Sequence, residues 1–247
     1  MTLKSHFTGI IVVILLWWVL SLFNTGGVLP GPLRVMKALV VIVQSEGFWT
    51  NVRDSFIRVF LGTLISLFLG TLLGVMGGMV RFFREAVHPL MVMMESVPPM
   101  AWIVLAILWF HIGPVPSVVA AVASATPIAF FNTVEGVKNI NSHYVELAKI
   151  YHLSLKKRLR AIYLPGIIPV IVATLSTNFS LNWRVVIMAE ALSAYTGLGQ
   201  GLWGTYLFGE METVFAYVVV IALMGLVVEY GVLNRFKQGL VKKYHFQ

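Results

Sequence analysis

The chain has 247 residues, of which 58% are hydrophobic and 11% are charged, and its mean hydropathy is +0.86. This balance excludes an ordinary soluble domain and indicates an integral membrane protein. The absence of cysteine excludes disulfides, thiolate metal sites and a cysteine nucleophile. The net charge of +8 comes from short basic clusters between apolar segments. Such clusters are typical of residues that set membrane orientation, and they do not indicate binding to nucleic acid.

Six apolar segments are each long enough to cross the roughly 30 Å hydrocarbon core of a bilayer as a helix. They lie near residues 7–24, 57–80, 87–111, 116–136, 162–183 and 213–234. Strand-like alternation is absent, so we expect an all-α membrane protein with about six transmembrane helices. We expect one transmembrane domain, 1–247, with a retained anchor helix at 7–24, a core at 55–236 and a cytoplasmic loop at 138–161.

The Lys and Arg residues are distributed unequally between the two sets of connections. One set carries thirteen: Lys4, Arg81, Arg84, Lys138, Lys149, Lys156, Lys157, Arg158, Arg160, Arg235, Lys237, Lys242 and Lys243. The opposite set carries five: Arg34, Lys37, Arg53, Arg58 and Arg184. Because basic residues accumulate on the cytoplasmic side, we expect both termini and the loop at 138–161 to lie in the cytoplasm.

The segment between the first two spans begins with a breaker cluster at 29–32, Leu-Pro-Gly-Pro. The residues after it, 33–54, mix charged and apolar positions. We interpret them as a short amphipathic helix on the outer surface, with a plain connecting loop as the alternative.

In the second span a small residue recurs every four positions, at Gly62, Ser66, Gly70, Gly74 and Gly78. This spacing places small side chains along one helix face, where another helix approaches closely. We therefore predict a packing seam. The spacing does not say whether the neighbouring helix belongs to the same chain or to a second copy.

The third span contains Pro98 and Pro99, which remove amide donors from the helical ladder, so we expect the span to be discontinuous. Glu95 lies just before this break. A carboxylate at bilayer depth costs about 2.5 to 3.5 kcal/mol, so we expect either a pathway or gate residue or a structural partner of Arg81 or Arg84. We place His111 at the outer boundary and not in a metal site, because no second ligand is suitably spaced.

Polar residues also occur in the fourth and fifth spans. We predict that these residues line the substrate pathway together with the earlier carboxylate: Glu95, Asn132, Ser176, Asn178, Trp183, Arg184 and Glu190. Arg184 and Glu190 are six positions apart and cannot share a helix face, so each needs another partner or water. For Asn132 the alternative is repair of the kink at Pro127, and for Glu190 it is a buried structural ion pair.

The loop at 138–161 predicts a helix from an N-cap at Ser142 to about Tyr151. Glu146 then lies near the first turn, where the helix dipole favours a negative charge. Leu147 and Ala148 belong to an apolar edge, while Lys149 faces water or a partner. A plain interfacial helix is the alternative reading of this segment.

The spacing around this helix resembles a known motif. The chain reads Glu146-Leu147-Ala148, three residues, His152, nine residues, then Ile-Tyr-Leu-Pro at 162–165. This resembles the EAA loop of ABC importer permeases, which reads Glu-Ala-Ala, three residues, Gly, nine residues, Ile-x-Leu-Pro. The departures are Leu147, at the first Ala of the motif, and His152, at its Gly. Gly permits a left-handed turn at this position, whereas His can adopt one only at some cost.

Further segments resemble the branch of these permeases that serves nitrate, sulfonates, taurine and bicarbonate. They are Leu-Pro-x-Pro at 29–32, Trp-Phe-His-x-Gly at 109–113, Trp183, the Ala-Glu pair at 189–190 and Gly-Leu-Gly at 197–199. His111 stands where this branch usually has Gly, and Val104 where a second proline often stands.

The resemblance implies the transmembrane-domain fold of a type I ABC importer, with a cytoplasmic coupling helix and alternating access. It implies that the ATPase is contacted by Glu146, Leu147, Ala148, Lys149, Tyr151, His152, Leu153 and Ser154. It also implies two ATPase subunits, a second permease copy as a homodimer, an extracytoplasmic substrate-binding protein, and a place in the bacterial inner membrane.

We expect this chain to be a permease and not an enzyme. It has no GxxxxGK[ST] phosphate loop and no catalytic constellation, so ATP and Mg²⁺ belong to the partner ATPase and no cofactor is expected on this chain. The resemblance implies a small polar solute, of the sulfonate, oxyanion or vitamin-precursor type. The alternative is an ion-coupled secondary transporter in which Glu95 or Glu190 couples the ion.

Overall fold

A computed structural model of the chain describes residues 3–23, 28–233 and 235, and these residues form helices and turns without a β-strand. The α-helices are α1 (Leu3–Phe23), α2 (Pro32–Gln44), α3 (Glu46–Met79), α4 (Arg81–Ser96), α5 (Pro99–Phe110), α6 (Val115–Lys138), α7 (Ser142–Ile150), α8 (Leu155–Arg158), α9 (Leu164–Ser193), α10 (Leu198–Leu207) and α11 (Met211–Leu226). Two π-helical turns adjoin them: Leu159–Tyr163 precedes α9 and Val227–Leu233 follows α11.

The predicted spans fall on helices. Within the described residues, four helical segments are long and apolar enough to cross a membrane: α3, α6, Leu155–Ser193 and Met211–Gly231. The bent pair of α4 and α5 makes a fifth crossing if it is counted as one span. The first predicted span corresponds to α1, whose described apolar stretch, Ile11–Phe23, is shorter than a full crossing. The all-α membrane fold is therefore confirmed.

The stripe of small residues in α3 is a seam against α6 of the same chain. A Cβ built on Gly62 would lie 2.8 Å from Ala121 Cβ, and one on Gly74 would lie 2.6 Å from Thr133 Cβ. Gly70 faces Ala129 in the same way and Gly78 faces Val137. Every pair has the same separation in sequence, 59 positions, so α3 and α6 run parallel.

Helix α9 runs antiparallel to α6 and α3. Asn132 of α6 contacts Thr174 of α9, Gly136 lies against Val170, and Ile140 lies against Gly166. Near the middle of both helices Asn178 of α9 donates to Ser66 of α3, and nearer the other end Ser55 of α3 donates to Glu190 of α9. We call the end of the bundle where α6 ends and α9 begins the elbow end, and the opposite end the far end.

The third predicted span is discontinuous, as expected. The axes of α4 and α5 differ by 96° across Val97 and Pro98, both of which have extended ψ angles. The indole Nε1 of Trp102 donates to the Met94 carbonyl at 3.3 Å and bridges the break. Because α3 and α6 are parallel, the chain between them has to return from the elbow end to the far end, and this bent pair makes the return.

Two sequence predictions about element bounds were wrong. Residues 33–54 do not form one amphipathic helix, because Ser45 is extended and ends α2 while α3 has already begun at Glu46. The buried residues Phe48, Val52 and Ser55 recur at helical spacing and bring this polar segment into α3. The fifth span likewise runs ten residues beyond Trp183, to Ser193, because Val186, Ala189 and Glu190 are buried on one face.

The seam predicts a stability effect at Gly70. A Cβ there would contact Ala129 and lie 2.6 Å from the Thr126 carbonyl oxygen, so Gly70→Leu should overpack the contact and lower the free energy of unfolding by about 1 to 3 kcal/mol or more. Thermal unfolding of the detergent-purified protein measures this effect. Gly47→Leu is the matched control, since nothing lies within 4 Å of a Cβ at that position of α3. An unchanged melting temperature for Gly70→Leu would contradict the seam.

Candidate functional site

The loop at 138–161, which we call the elbow, begins with a capped helix. Asn141 lies immediately before α7, and its Oδ1 accepts a hydrogen bond from the His143 amide at 2.9 Å. Its carbonyl accepts another from the Tyr144 amide at 3.2 Å. These are the contacts of an N-cap residue. The sequence prediction placed the cap at Ser142, one position too late, because both residue types suit a cap and Ser142 is already helical.

The helix α7 ends in a sharp reversal. The Leu153 amide donates to the Ala148 carbonyl at 2.9 Å, which is the six-to-one bond of a left-handed helix end. His152 lies between them with φ +50°, the left-handed conformation expected at the position where the motif has glycine. Arg158 Nε, at the end of α8, donates to the Leu153 carbonyl at 2.9 Å and holds α8 against this turn.

Most of the predicted coupling residues lie on the surface. Exposed side chains belong to Glu146, Leu147, Tyr151, His152 and Ser154, whereas Leu153 is half-buried and Ala148 is buried. Lys149 is part of α7, and its side chain lies outside the described residues. The exposed fractions of Leu147, Ile150 and Tyr151 are 48%, 69% and 75%, so an apolar patch of the elbow is uncovered in this chain.

A groove of about 1020 Å³ opens between α6 and α9 at the elbow end. Asn132 and Thr174 lie at its inner limit, where Asn132 Nδ2 donates to Thr174 Oγ1 at 3.2 Å. Asn141 and Tyr144 of the elbow form part of the same lining. The groove therefore links a predicted pathway residue, Asn132, to the elbow.

Glu190 is buried at the far end, and both of its carboxylate oxygens accept hydrogen bonds. Arg58 Nη1 donates to its Oε1 at 2.7 Å, Ser55 Oγ to its Oε2 at 2.7 Å and the Gly199 amide to its Oε2 at 3.1 Å. The exposed fractions of the Arg58 and Glu190 side chains are 8% and 0%. The geometry thus corresponds to the structural ion pair and not to the pathway role that we first assigned to Glu190.

The same network fastens the turn between α9 and α10 to α3. Arg58 also donates to the Thr196 carbonyl at 2.6 Å, Asp54 accepts from Thr196 Oγ1 at 2.7 Å, and Asn51 Oδ1 accepts from the Gly197 amide at 2.9 Å. Gly197 has φ +126°, and a Cβ there would overlap the Glu190 carboxylate. Glycine is therefore required at position 197, the first residue of Gly-Leu-Gly, because the backbone there lies against the Glu190 carboxylate.

Arg58 was not predicted as the partner of Glu190 and was counted in an outer connection. A signal was present, because Arg58 lies four positions before Gly62 and continues the stripe that faces α6 and α9. A buried carboxylate in a membrane helix also requires a partner. The two residues are 132 positions apart, so local spacing alone could not pair them.

The remaining predicted pathway residues occupy different surroundings. Asn178 is buried, and Trp183 packs between Phe56 and Phe179 with ring centroids 5.2 and 6.2 Å away. Ser176 is half-buried in α9, whereas Arg184 is exposed. Glu95 is exposed in the last turn of α4. It does not pair with Arg81, whose partner is Glu85 at 2.6 Å.

The sequence matches a family model described as binding-protein-dependent transport system inner membrane component, over residues 66–233. The chain is 26% identical over 228 residues to the taurine transport system permease protein TauC of Escherichia coli (strain K12), covering 89% of this chain and 82% of that protein. It is also 26% identical over 222 residues to the nitrate import permease protein NrtB of Synechococcus elongatus, covering 86% and 80%.

The fold is also found in solved transporters. An inward-facing structure of the MetNI methionine ABC transporter matches with a TM-score of 0.64 at 20% identity, covering 81% of this chain and 95% of that chain. A bacterial alginate ABC transporter, in complex with its alginate pentasaccharide-bound periplasmic protein, matches with a TM-score of 0.67 at 14% identity, covering 97% and 95%. At these identities the likeness concerns the fold alone.

Removing one partner of the buried pair should destabilise the bundle. Glu190→Gln leaves the Arg58 charge buried, so we expect the free energy of unfolding to fall by about 3 to 5 kcal/mol. Denaturant titration of the detergent-solubilised protein measures this change. The exposed pair of Arg81 and Glu85 is the control, and Glu85→Gln should cost about 1 kcal/mol or less. Strictly additive effects of Glu190→Gln and Arg58→Met in the double variant would contradict the coupling.

The left-handed residue of the elbow gives a local prediction. His152→Gly should relieve backbone strain of about 1 kcal/mol, whereas His152→Val should increase it, because a β-branched residue rarely adopts this conformation. Limited trypsin digestion at Lys156, Lys157 and Arg158 measures local opening of the elbow. We expect the Val variant to be cut several-fold faster than the Gly variant, and equal rates would argue against the reversal at His152.

Proposed function

The chain belongs to the family of binding-protein-dependent transport system inner membrane components, and from this membership we propose that it is the membrane-spanning permease of an ATP-driven importer for a small polar solute. In this proposal the chain forms the path through the inner membrane. Separate ATPase subunits act on it from the cytoplasmic side, and a binding protein delivers the solute from the other side.

The surface of the elbow is the observation on which this proposal depends. An apolar patch of Leu147, Ile150 and Tyr151 is exposed beside the acidic Glu146, on a helix with a defined cap and a defined end. Exposed apolar patches rimmed by polar residues are typical of protein interfaces. We propose that this surface binds the ATPase, with Glu146, Leu147, Tyr151, His152, Leu153 and Ser154 at the contact and Ala148 packed beneath it.

The connection from the elbow to the membrane supports a coupling role. After His152 the chain passes through α8 and the π-helical turn at Leu159–Tyr163 directly into α9. Pro165 and Pro169 follow within the first two turns of α9. Prolines and π-helical turns are common causes of helix bending. A displacement of the elbow would therefore move the first part of α9 and change the width of the groove that α9 forms with α6.

The transport mechanism that we propose for this arrangement is alternating access. We propose that ATP closes a pair of ATPase subunits, that the elbows of two permease copies move with them, and that the pathway opens toward the binding protein. The energy for this change comes from the different affinities of the two states for ATP and for the loaded binding protein. ATP and Mg²⁺ would be held by the ATPase, since this sequence has no phosphate loop.

The relatives suggest the class of solute. Those most similar in sequence include permeases named for taurine, nitrate, aliphatic sulfonates and bicarbonate. We propose that the present chain carries a solute of the sulfonate or oxyanion type that these names give, or of the vitamin-precursor type that the resemblance implies. The ion-coupled alternative loses one of its two coupling residues, because Glu190 is held by three donors and is fully buried.

Charge reversal at the elbow tests the proposal. Glu146→Arg should lower ATP-dependent uptake into proteoliposomes by tenfold or more, a loss of about 1.4 kcal/mol or more of coupling, while the bundle stays folded because Glu146 is exposed. ATP hydrolysis and the melting temperature are measured in parallel. Glu85→Arg is the matched control on α4, outside the elbow. Normal ATP-driven uptake in Glu146→Arg, or uptake by the chain alone under an ion gradient, would refute the proposal.

A further inference from the structure

A second recess at the elbow end lies between α4 and α6, and we call it the α4–α6 cavity. Its volume is about 510 Å³, and its walls are Arg84, His88, Phe130, Phe131, Asn132, Val134, Glu135 and Lys138. Asn132 and Glu135 also border the groove between α6 and α9, so they form the ridge between the two recesses. The other walls belong to α4 and to the adjoining face of α6, which makes this a separate site.

The α4–α6 cavity lies at the level where the apolar spans end. Helices α3 and α6 end at this level and α4 begins there. Arg84 lies between the predicted spans 57–80 and 87–111, and Lys138 lies two positions after the span 116–136. The aromatic and aliphatic walls lie within the last of these spans. The cavity therefore reaches from the headgroup region of the bilayer into the edge of the hydrocarbon core.

The polar part of the cavity has an excess of basic groups. Arg84 and His88 are one turn apart on α4, and Lys138 adds an ammonium group from α6. Arg84 is half-buried and takes part in none of the ion pairs of the described residues. Lys138 lies 3.6 Å from Glu135, and since both side chains are exposed this pair is weak. One carboxylate thus faces two permanent cations and an imidazole.

The apolar part of the cavity is a packed wall. Phe130 and Val134 are buried and form a cluster with Met91 of α4. The ring of Phe131 lies edge-on to Phe130, with centroids 5.3 Å apart, and edge-on to His88, with centroids 5.4 Å apart. These contacts hold α4 against α6 directly beside the basic residues. The cavity therefore offers positive charge and apolar surface side by side.

We propose that the α4–α6 cavity binds the phosphate group of an anionic phospholipid. Arg84 and Lys138 donate charge-assisted hydrogen bonds to the phosphate oxygens, and Phe131 packs against the glycerol and the first methylene groups. A free phosphate ion would use only the polar part of the cavity, whereas a phospholipid uses both parts and lies at the right level of the bilayer. Basic pockets between transmembrane helices are known binding places for such headgroups. This inference does not depend on the proposed importer function.

The affinity for single lipid molecules tests the site. Native mass spectrometry of the detergent-purified protein, titrated with dioleoyl phosphatidylglycerol, measures the dissociation constant of the first bound lipid. We expect Arg84→Gln and Lys138→Gln each to raise this constant about fivefold or more, because a basic residue near an anionic headgroup is lost. Arg84→Lys keeps the charge and should raise it less than about twofold. Dioleoyl phosphatidylcholine carries its own cation and should bind more weakly than phosphatidylglycerol to the unchanged protein.

The control removes the same charge at the same end of the bundle. Arg160 is exposed just before α9 and does not line the cavity. Arg160→Gln should therefore change the dissociation constant by less than about twofold. Melting temperatures give an independent readout, because a ligand that binds the folded state stabilises it. Phosphatidylglycerol should raise the melting temperature of the unchanged protein and not that of Arg84→Gln, and inorganic phosphate should raise neither.

Three results would overturn the inference. The first is an equal dissociation constant for phosphatidylglycerol and phosphatidylcholine. The second is an effect of Arg160→Gln as large as that of Arg84→Gln, which would indicate diffuse attraction to the whole basic surface. The third is stabilisation by inorganic phosphate equal to that by the lipid, which would assign the cavity to a free anion. Lys138→Gln, at an exposed position, decides the question if Arg84→Gln fails to fold.

Discussion

The close approach of α3 and α6 is the constraint on which the rest of the bundle depends. In a bilayer the burial of apolar surface between helices gains little, so association requires tight packing. Gly62, Gly70, Gly74 and Gly78 remove side chains from one face of α3, and α6 fills that space. Since the two helices are parallel, the bent pair of α4 and α5 has to return across the bundle, and α9 can then pack antiparallel against both.

The polar residues divide into two groups by what they contact. At the far end Arg58 and Glu190 neutralise each other and fix the turn after α9, so their charges are removed from any route through the bundle. At the elbow end Asn132 borders an open groove, whereas Arg184 lies on an exposed face of α9 nearer to the far end. A charged residue in a membrane helix is therefore not by itself evidence for a pathway. Its partners and its exposure decide between the two roles.

Residue patterns of short range were predictable from the sequence. The seam and the break at Pro98 each follow from the steric properties of one residue type, whereas the left-handed conformation of His152 was expected only because the resembled motif has Gly there. Features that join distant segments were not predictable. The glycine spacing could not identify α6 as the neighbour, and the count of basic residues could not pair Arg58 with Glu190. The N-cap at Asn141 was missed because the adjacent Ser142 suits the same position.

The two non-glycine residues with positive φ among the described residues lie at points where the chain reverses. His111 has φ +60° after α5, and His152 has φ +50° after α7. A positive φ is uncommon for residues other than glycine, so the surrounding structure holds both histidines in a strained backbone conformation. Gly113, just after His111, donates to the Ser193 carbonyl at the end of α9 at 2.7 Å. The reversals at His111 and His152 are thus connected to opposite ends of α9, which runs between the far end and the elbow.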